Sequence, residues 1–236
     1  MKINTVSLIP RIISLFLIPV SLILMPSCNR SKAGASASKV TNAEKLGFPK
    51  GSKVIILHCD DAGMCEEANI AVKNYFETGD IRSAAVMVPC EYAMDLVEWV
   101  KAQDSPDLGI HLTLTSEWLS WRWGTVADPA SVPGLIDQEG KMWKSVPEVV
   151  THASAEEVET EVRAQIDRVI AAGYRPSHID THMGTLYASP EYVRVFLKIA
   201  QEYGIPANAI DLSDPVVADF FRKEGYPLTT EVVDML

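Results

Sequence analysis

Residues 54–63 read VIILHCDDAG, an apolar run that leads directly into two neighbouring carboxylates. Four apolar residues rich in β-branched side chains predict a buried strand, which we place at 54–59. A single Asp after a strand is often a helix cap, but two adjacent carboxylates repel each other. We therefore expect Asp60 and Asp61 to have separate tasks at the end of this strand.

The rest of the chain alternates between strand and helix patterns. Strands are predicted at 83–88, 108–114 and 177–182, with a return to the sheet over 205–212, and helices at 66–78, 92–103, 154–173 and 189–203. Repeated β-α units imply parallel strands joined by right-handed crossovers. We predict an α/β fold, a (β/α) barrel-like arrangement with mostly parallel strands. From residue 53 onward the chain is shorter than the ~250 residues of a full barrel, so we expect it to be incomplete at its C-terminal end.

The composition narrows the range of functions. The 236 residues are 47% hydrophobic and 22% charged, which is ordinary for one globular domain with appendages. The net charge of −10, with no basic cluster beyond Arg222-Lys223, argues against nucleic acid as a partner. The cysteines that follow the leader, Cys59, Cys65 and Cys90, form neither a disulfide framework nor a zinc ribbon pattern.

Residues 1–28 differ from the rest and predict a signal peptide. Lys2 and Arg11 precede an apolar run at 12–25 that is interrupted and shorter than the ~20 residues of a membrane span. The segment ends at Cys28 after a small residue, which resembles a bacterial lipoprotein processing site. A plain cleaved signal and an uncleaved anchor remain the alternatives.

The leader is followed by a polar stretch of small residues at 29–50, which predicts a linker. We assign residues 51–236 to the functional domain. We expect an exported protein, either periplasmic or a membrane-anchored lipoprotein that faces away from the cytoplasm. Its contact with the membrane would be limited to the leader or the lipid.

Polar residues gather at the predicted carboxyl ends of three strands: Asp60 and Asp61, then His111, then His178, Asp180 and His182. In α/β barrels the active site lies at this end of the strands. Side chains alternate along a strand, so the two histidines and the Asp of HIDTH (178–182) share one face. One Asp and one His from each of two other strands can close around a divalent ion such as zinc. The other Asp would then act as a base.

Each of these residues has a structural alternative. The Asp pair could cap a helix, His111 could be a core histidine, and HIDTH could be a polar edge of the sheet. The coincidence of ligand types at three strand ends favours a metal site, although the spacing alone does not assign a reaction. A long irregular segment at 115–150 carries Trp118, Trp121 and Trp123, which predict either a sugar-binding wall or a locally packed loop.

Five motifs resemble those of one family, in the same order and with compatible spacing. They are DDAG (60–63) with Asn69, GDIRSAAVMV (79–88), GIHLTLTSE (109–117), VPGLIDQEGKMW (132–143) and RPSHIDTH (175–182). The chain resembles the YdjC-like carbohydrate deacetylases, a group that includes chito-oligosaccharide and hopanoid-linked deacetylases. The resemblance implies a barrel-like fold, one divalent metal ion (zinc or magnesium) and removal of acetyl groups from N-acetylated amino sugars.

The resemblance also implies roles for individual residues. Asp61, His111 and His182 would bind the metal, Asp60 would be the general base, and His178 and Asp180 would orient the ligands. The chain departs from the family pattern at His58-Cys59, at Ala62 and at Gly184, where the family has a small polar pair, an aromatic residue and an imidazole.

The family's general acid, a histidine from a later segment, has no counterpart here. We therefore also consider another single-metal hydrolase, such as a phosphoesterase, and a carbohydrate-binding lipoprotein that has lost turnover. The sequence predicts a carbohydrate substrate but does not identify the sugar or the oligomeric state.

Overall fold

The computed structural model describes residues 40–104, 107–223, 225–226 and 228–236. The chain divides into two units, residues 1–54 and 55–236. In the first unit, helix α1 (Asn42–Lys45) is capped reciprocally by Thr41 and Glu44. The predicted leader and the first part of the predicted linker lie outside the described residues. Within the described ranges, no helix has both the length and the apolar character that a membrane crossing requires.

The second unit is built on a parallel sheet. Its strands are β1 (His58–Ala62), β2 (Ser83–Val86), β3 (Asp107–Leu112) and β4 (Ile179–Thr181). The helices are α2 (Glu66–Thr78), α3 (Ala93–Lys101), α4 (Val146–His152), α5 (Ala155–Ala171), α6 (Pro190–Tyr203), α7 (Pro215–Lys223) and α8 (Thr230–Met235). All neighbouring strands are parallel and follow one another in chain order. This order is that of a (β/α) barrel, whereas a doubly wound sheet reverses direction. The predicted α/β fold with parallel strands is confirmed.

The helices begin and end where their capping residues predict. Ser154 and Glu157 form the predicted capping box at the start of α5. The Ser189 hydroxyl accepts from the third residue of α6, and Gly204 ends this helix at φ +60°. Both helices contribute apolar residues to the core that includes the sheet, whose β2 is buried along its whole length. Each fully buried Val, Leu or Ile contributes about 1.5–3 kcal/mol relative to exposure.

The first strand differs from the prediction. β1 begins at His58 and continues through both aspartates to Ala62, whereas the prediction placed it at 54–59. Residues 54–57 are exposed, Ile55 by 80% and Ile56 by 77%. The prediction of a buried strand is therefore wrong for these residues. Among the described residues β1 pairs only with β2, so it is an edge strand, and the apolar residues 54–57 lie before its first paired residue, His58.

Two other segments are more detailed than predicted. The stretch at 115–150 contains two short 3₁₀ turns and α4, and the exposed His152 lies in the last turn of that helix. The segment at 205–212 returns to the sheet through one parallel bridge, between Ala207 and Ile179. These elements place the carboxyl ends of β1, β3 and β4 beside one another.

Candidate active site

β1 contains an extra residue at its two aspartates. The step from Cys59 to Ala62 on β1 faces a shorter step on β2, which defines a bulge. Asp61 has a φ of +57°, in the left-handed region that Asp tolerates better than most residues. In a regular strand Asp60 and Asp61 would point to opposite faces of the sheet. The bulge lets both carboxylates reach the same site.

The glycine after the aspartates completes this turn. Gly63 has a φ of +84°, and a β-carbon there would lie 2.7 Å from the Cα of Ala93. The Gly63 N–H donates to Asn69 Oδ1 at 2.9 Å, and the buried Asn69 amide donates to the Tyr92 carbonyl at 2.8 Å. The DDAG motif and Asn69 therefore form one rigid turn that positions the aspartates.

Asp61, His111 and His182 converge at the ends of β1, β3 and β4, and we call them the Asp61 cluster. Asp61 Oδ1 lies 3.1 Å from His182 Nδ1 and 3.5 Å from His111 Nε2. One potential ligand atom from each residue lies within 4.8 Å of the others. Asp61 Oδ1 is buried and has no hydrogen-bond partner among the described residues. A buried carboxylate oxygen between two imidazole nitrogens fits a divalent ion.

Two carboxylates hold the imidazoles of this cluster. His111 Nδ1 lies 2.6 Å from Asp180 Oδ1, and His182 Nε2 lies 3.0 Å from Glu117 Oε1. The opposite ring nitrogens therefore face Asp61. Carboxylates orient metal-binding histidines in the same way in many proteins. The sequence analysis did not identify Glu117, although it is the last residue of the motif that contains His111.

The pKa values reflect these contacts. Burial lowers the pKa of His182, but the carboxylates of Asp61 and Glu117 outweigh it and raise the value to about 9. The adjacent His182 imidazole lowers the pKa of Asp61. Burial raises the pKa of Asp180, yet the nearby His111 and His58 rings bring it to about 2. The carboxylates are ionised at neutral pH, and an ion that enters the cluster must displace a proton from His182.

His58, His178 and Asp180 form a second group, the His58 cluster. His58 Nε2 lies 3.3 Å from Asp60 Oδ1 and 3.5 Å from Asp180 Oδ2. The two imidazole rings meet edge to face with centroids 5.1 Å apart. Asp180 raises the pKa of His58 to about 9, with a further contribution from Asp60. Asp180 thus contacts both clusters, whereas His178 lies beside His58.

A cavity of about 910 Å³ opens over these residues. Its polar side includes His58, Asp60, His111, His178 and Asp180. The other side is aromatic and carries Tyr187, Phe220, Phe221 and Tyr226, which the sequence analysis did not associate with the site. The cavity therefore combines titratable groups with ring faces on which an apolar surface can stack.

The comparison with known families agrees with this geometry. The family model described as YdjC-like protein matches residues 54–231, which include every member of both clusters. The chain belongs to the YdjC-like family. The predicted family resemblance is confirmed.

Proteins named carbohydrate deacetylase are similar to this YdjC-like chain. The protein from Thermus thermophilus is 34% identical over 68% of this chain and 54% of its own length. The protein from Brevibacillus brevis is 33% identical over 65% of this chain and 58% of its own length. The chain thus spans little more than half the length of these relatives.

A solved structure supports the fold. The crystal structure of a candidate cellobiose-phosphate cleavage protein from Enterococcus faecalis V583 has a TM-score of 0.60 to this chain at 24% identity. The match covers 71% of this chain and 64% of that one.

The tryptophans of this YdjC-like chain take different positions. Trp123 is buried, its Nε1 donates to the Thr115 carbonyl at 2.8 Å, and its ring centroid lies 6.4 Å from that of His182. Trp118 and Trp121 are exposed by 49% and 43%. Trp121 and Trp123 line a smaller cavity of about 420 Å³. Trp123 therefore packs beside the His182 ring, while the exposed pair remains the predicted sugar-binding surface.

Gly184 stands where the resemblance predicts an imidazole, and the Tyr226 side chain lies next to it. Gly184 has a φ of +61°, and a β-carbon on it would lie 2.8 Å from the Tyr226 hydroxyl. Tyr226 donates a hydrogen bond to the Met183 carbonyl next to this glycine. The tyrosine thus fills the position towards which a side chain at residue 184 would point.

Proposed function

We propose that this chain is a metal-dependent hydrolase that removes acetyl groups from N-acetylated amino sugars or their oligosaccharides. The names of its relatives support the reaction class, and the Asp61 cluster supports the use of a metal. The proposal depends most on one observation, the buried Asp61 Oδ1 that lacks a hydrogen bond and lies between two imidazole nitrogens.

Asp61, His111 and His182 would hold one divalent ion, either zinc or magnesium. When bound, this ion would polarise the acetamide carbonyl and stabilise the negative charge that develops on its oxygen. Asp180 and Glu117 keep the two rings in the orientation that binding requires, because each accepts the hydrogen of the ring nitrogen that faces away from Asp61.

Asp60 is suited to the role of base. Its side chain is 60% exposed and lines the cavity, so a water molecule can approach it, whereas Asp61 faces the two histidines. His58 Nε2 lies 3.3 Å from Asp60 Oδ1 and restrains this carboxylate. Asp60 would take the proton of the attacking water, and the products would be acetate and the free amine.

The substrate would be a carbohydrate, as the cavity suggests. Its aromatic side offers ring faces to the apolar faces of a sugar, and Trp118 and Trp121 extend such surfaces outside the cavity. We also propose that the protein acts outside the cytoplasm, since residues 1–28 have a signal-like composition that ends at Cys28.

The test is acetate release from N-acetylated oligosaccharides by the full chain. The chain is stripped with a chelator and then supplied with zinc or magnesium. We expect acetate release that requires the added metal, and a loss of at least ~100-fold in kcat for Asp60→Asn, since a positioned base contributes that much. The matched control is Asp95→Asn, an exposed carboxylate on α3 that lines neither cavity.

Three outcomes would contradict the proposal. Acetate release that survives complete metal removal would refute the role of the Asp61 cluster. Full activity of Asp60→Asn would refute the base. Hydrolysis of an aryl phosphate with no acetate release from any N-acetylated sugar would replace the deacetylase with a phosphoesterase.

A further inference from the structure

The His58 cluster has the features of a second metal site. His58, His178 and Asp180 each offer one potential ligand atom, and these atoms lie within 4.8 Å of one another. The set is distinct from the Asp61 cluster and shares no residue with it. It lies on the wall of the large cavity, where an ion would be accessible from solvent.

Both histidines are held through Nδ1, which lies next to a serine hydroxyl in each case. His58 Nδ1 lies 2.7 Å from Ser83 Oγ, and His178 Nδ1 lies 2.9 Å from Ser177 Oγ. The Ser177 hydroxyl donates to Asp107 Oδ1 at 2.6 Å, and the Ser83 hydroxyl also hydrogen-bonds this carboxylate. Each serine is therefore left to accept from a histidine N–H. When each ring is neutral, Nδ1 therefore carries the hydrogen and Nε2 presents its lone pair to an ion.

The Nε2 of His58 is a buried polar atom without a hydrogen-bond partner among the described residues. Two carboxylate oxygens lie near it, Asp60 Oδ1 at 3.3 Å and Asp180 Oδ2 at 3.5 Å. A buried nitrogen that lacks a partner is costly unless something else satisfies it. A cation between this nitrogen and the carboxylates would satisfy all of them.

The backbone of β3 makes room for the second ring. A β-carbon on Gly109 would lie 2.4 Å from His178 Nε2 and 2.5 Å from two ring carbons. Any other residue at this position would displace the imidazole. The absence of a side chain here thus keeps His178 beside His58.

We propose that His58, His178 and Asp180 bind a second divalent ion of the zinc class. Two imidazole nitrogens and a carboxylate oxygen suit zinc better than magnesium, which prefers oxygen ligands. The inference goes beyond the proposed function, because the deacetylase reaction described above uses only the ion of the Asp61 cluster.

Zinc stoichiometry of the full chain tests this proposal. The chain is stripped with a chelator, dialysed against zinc and analysed for bound metal. We expect about two equivalents in the wild type and about one in His58→Asn and in His178→Asn. His182→Asn should also bind about one equivalent, which the His58 cluster would hold. The double variant His58→Asn/His182→Asn should bind almost no zinc. The matched control is His152→Asn, an exposed histidine outside both clusters, which should keep the wild-type value.

Circular dichroism of each variant shows whether it is folded. If either His58→Asn or His178→Asn fails to fold, the zinc stoichiometry of the other variant tests the proposal. The stoichiometry of the wild type does not depend on either variant. A wild type that binds one equivalent, lost in His182→Asn and kept in His58→Asn, would overturn the proposal and leave the single-metal deacetylase intact. Two equivalents retained in folded His58→Asn and His178→Asn would overturn it as well.

Discussion

Replacement of Glu161 by Gln tests the scaffold behind the candidate site. Glu161 is fully buried in α5. Its Oε1 accepts from the Val126 N–H at 3.0 Å and from Gln165 Nε2 at 2.8 Å, and its Oε2 accepts from the Ala127 N–H at 2.8 Å. Burial raises the pKa of Glu161 to about 6 despite these hydrogen bonds. The carboxyl group therefore titrates in an accessible pH range.

The size and the sign of the effect follow from this pKa. A rise from the ordinary value of 4.5 to about 6 corresponds to about 2 kcal/mol. The folded state binds the proton more tightly than the unfolded state does. The resulting stabilisation is therefore complete below pH 4.5 and is lost as the pH rises through about 6.

Glutamine at this position does not titrate, so it removes the pH-dependent contribution. It also has one acceptor oxygen for two backbone N–H groups, which costs about 1–3 kcal/mol relative to the ionised carboxylate. We expect Glu161→Gln to be less stable than the wild type throughout. The difference in unfolding free energy should be larger by about 2 kcal/mol at pH 4 than at pH 8.

The assay is urea unfolding of the full chain at pH 4, 6 and 8, followed by circular dichroism. Glu156→Gln is the matched control, since Glu156 is an exposed residue of the same helix, and it should change the unfolding free energy by less than about 0.5 kcal/mol. Parallel pH profiles for the wild type and Glu161→Gln would refute the raised pKa. Equal stabilities at pH 8 would refute the role of the backbone hydrogen bonds.

Three further predictions concern other parts of the structure. Gly109→Ala should reduce the zinc bound by the His58 cluster, because the new methyl group would meet His178 Nε2 at 2.4 Å; unchanged stoichiometry would contradict this. Because the pKa of His182 is about 9, zinc must displace its proton on binding. The affinity for zinc, measured by competition with a chelator, should therefore fall about tenfold per pH unit from pH 8 to 6. An affinity that does not change with pH would contradict this. Tyr192→Phe removes a buried hydrogen bond of 2.7 Å to the Ala153 carbonyl and should lower the unfolding free energy, measured in urea, by about 1–3 kcal/mol. An unchanged unfolding free energy would contradict this.

The strand pattern was sufficient to predict that one Asp of the Asp60-Asp61 pair, His111 and a histidine of HIDTH lie together, and the family resemblance selected Asp61 and His182 among them. In a parallel sheet the carboxyl ends of the strands share one edge, so three strands that each end on a ligand type must bring those residues close. The helices α5 and α6 were predictable for a similar reason, since their capping residues and apolar spacing are local properties. Neither prediction requires knowledge of the strand register.

The contacts that depend on register were not predictable. Glu117 meets His182 and His58 meets His178 only because the strands and the following loops have one particular alignment. The bulge at Asp61 adds a further shift that the pattern of apolar residues does not encode. Burial of residues 54–57 was wrongly predicted for a related reason, since an apolar run shows strand preference but not which neighbours cover it.

Asp180 determines how the two clusters influence each other. Its Oδ1 lies 2.6 Å from His111 Nδ1, and its Oδ2 lies 3.5 Å from His58 Nε2. One carboxylate therefore orients a ligand of the Asp61 cluster and belongs to the His58 cluster. An ion bound at Oδ2 would withdraw negative charge from the oxygen that polarises His111, and would make this imidazole a weaker ligand. Since both effects pass through the same carboxylate, filling the His58 cluster should weaken metal binding at the Asp61 cluster, and emptying it should strengthen that binding.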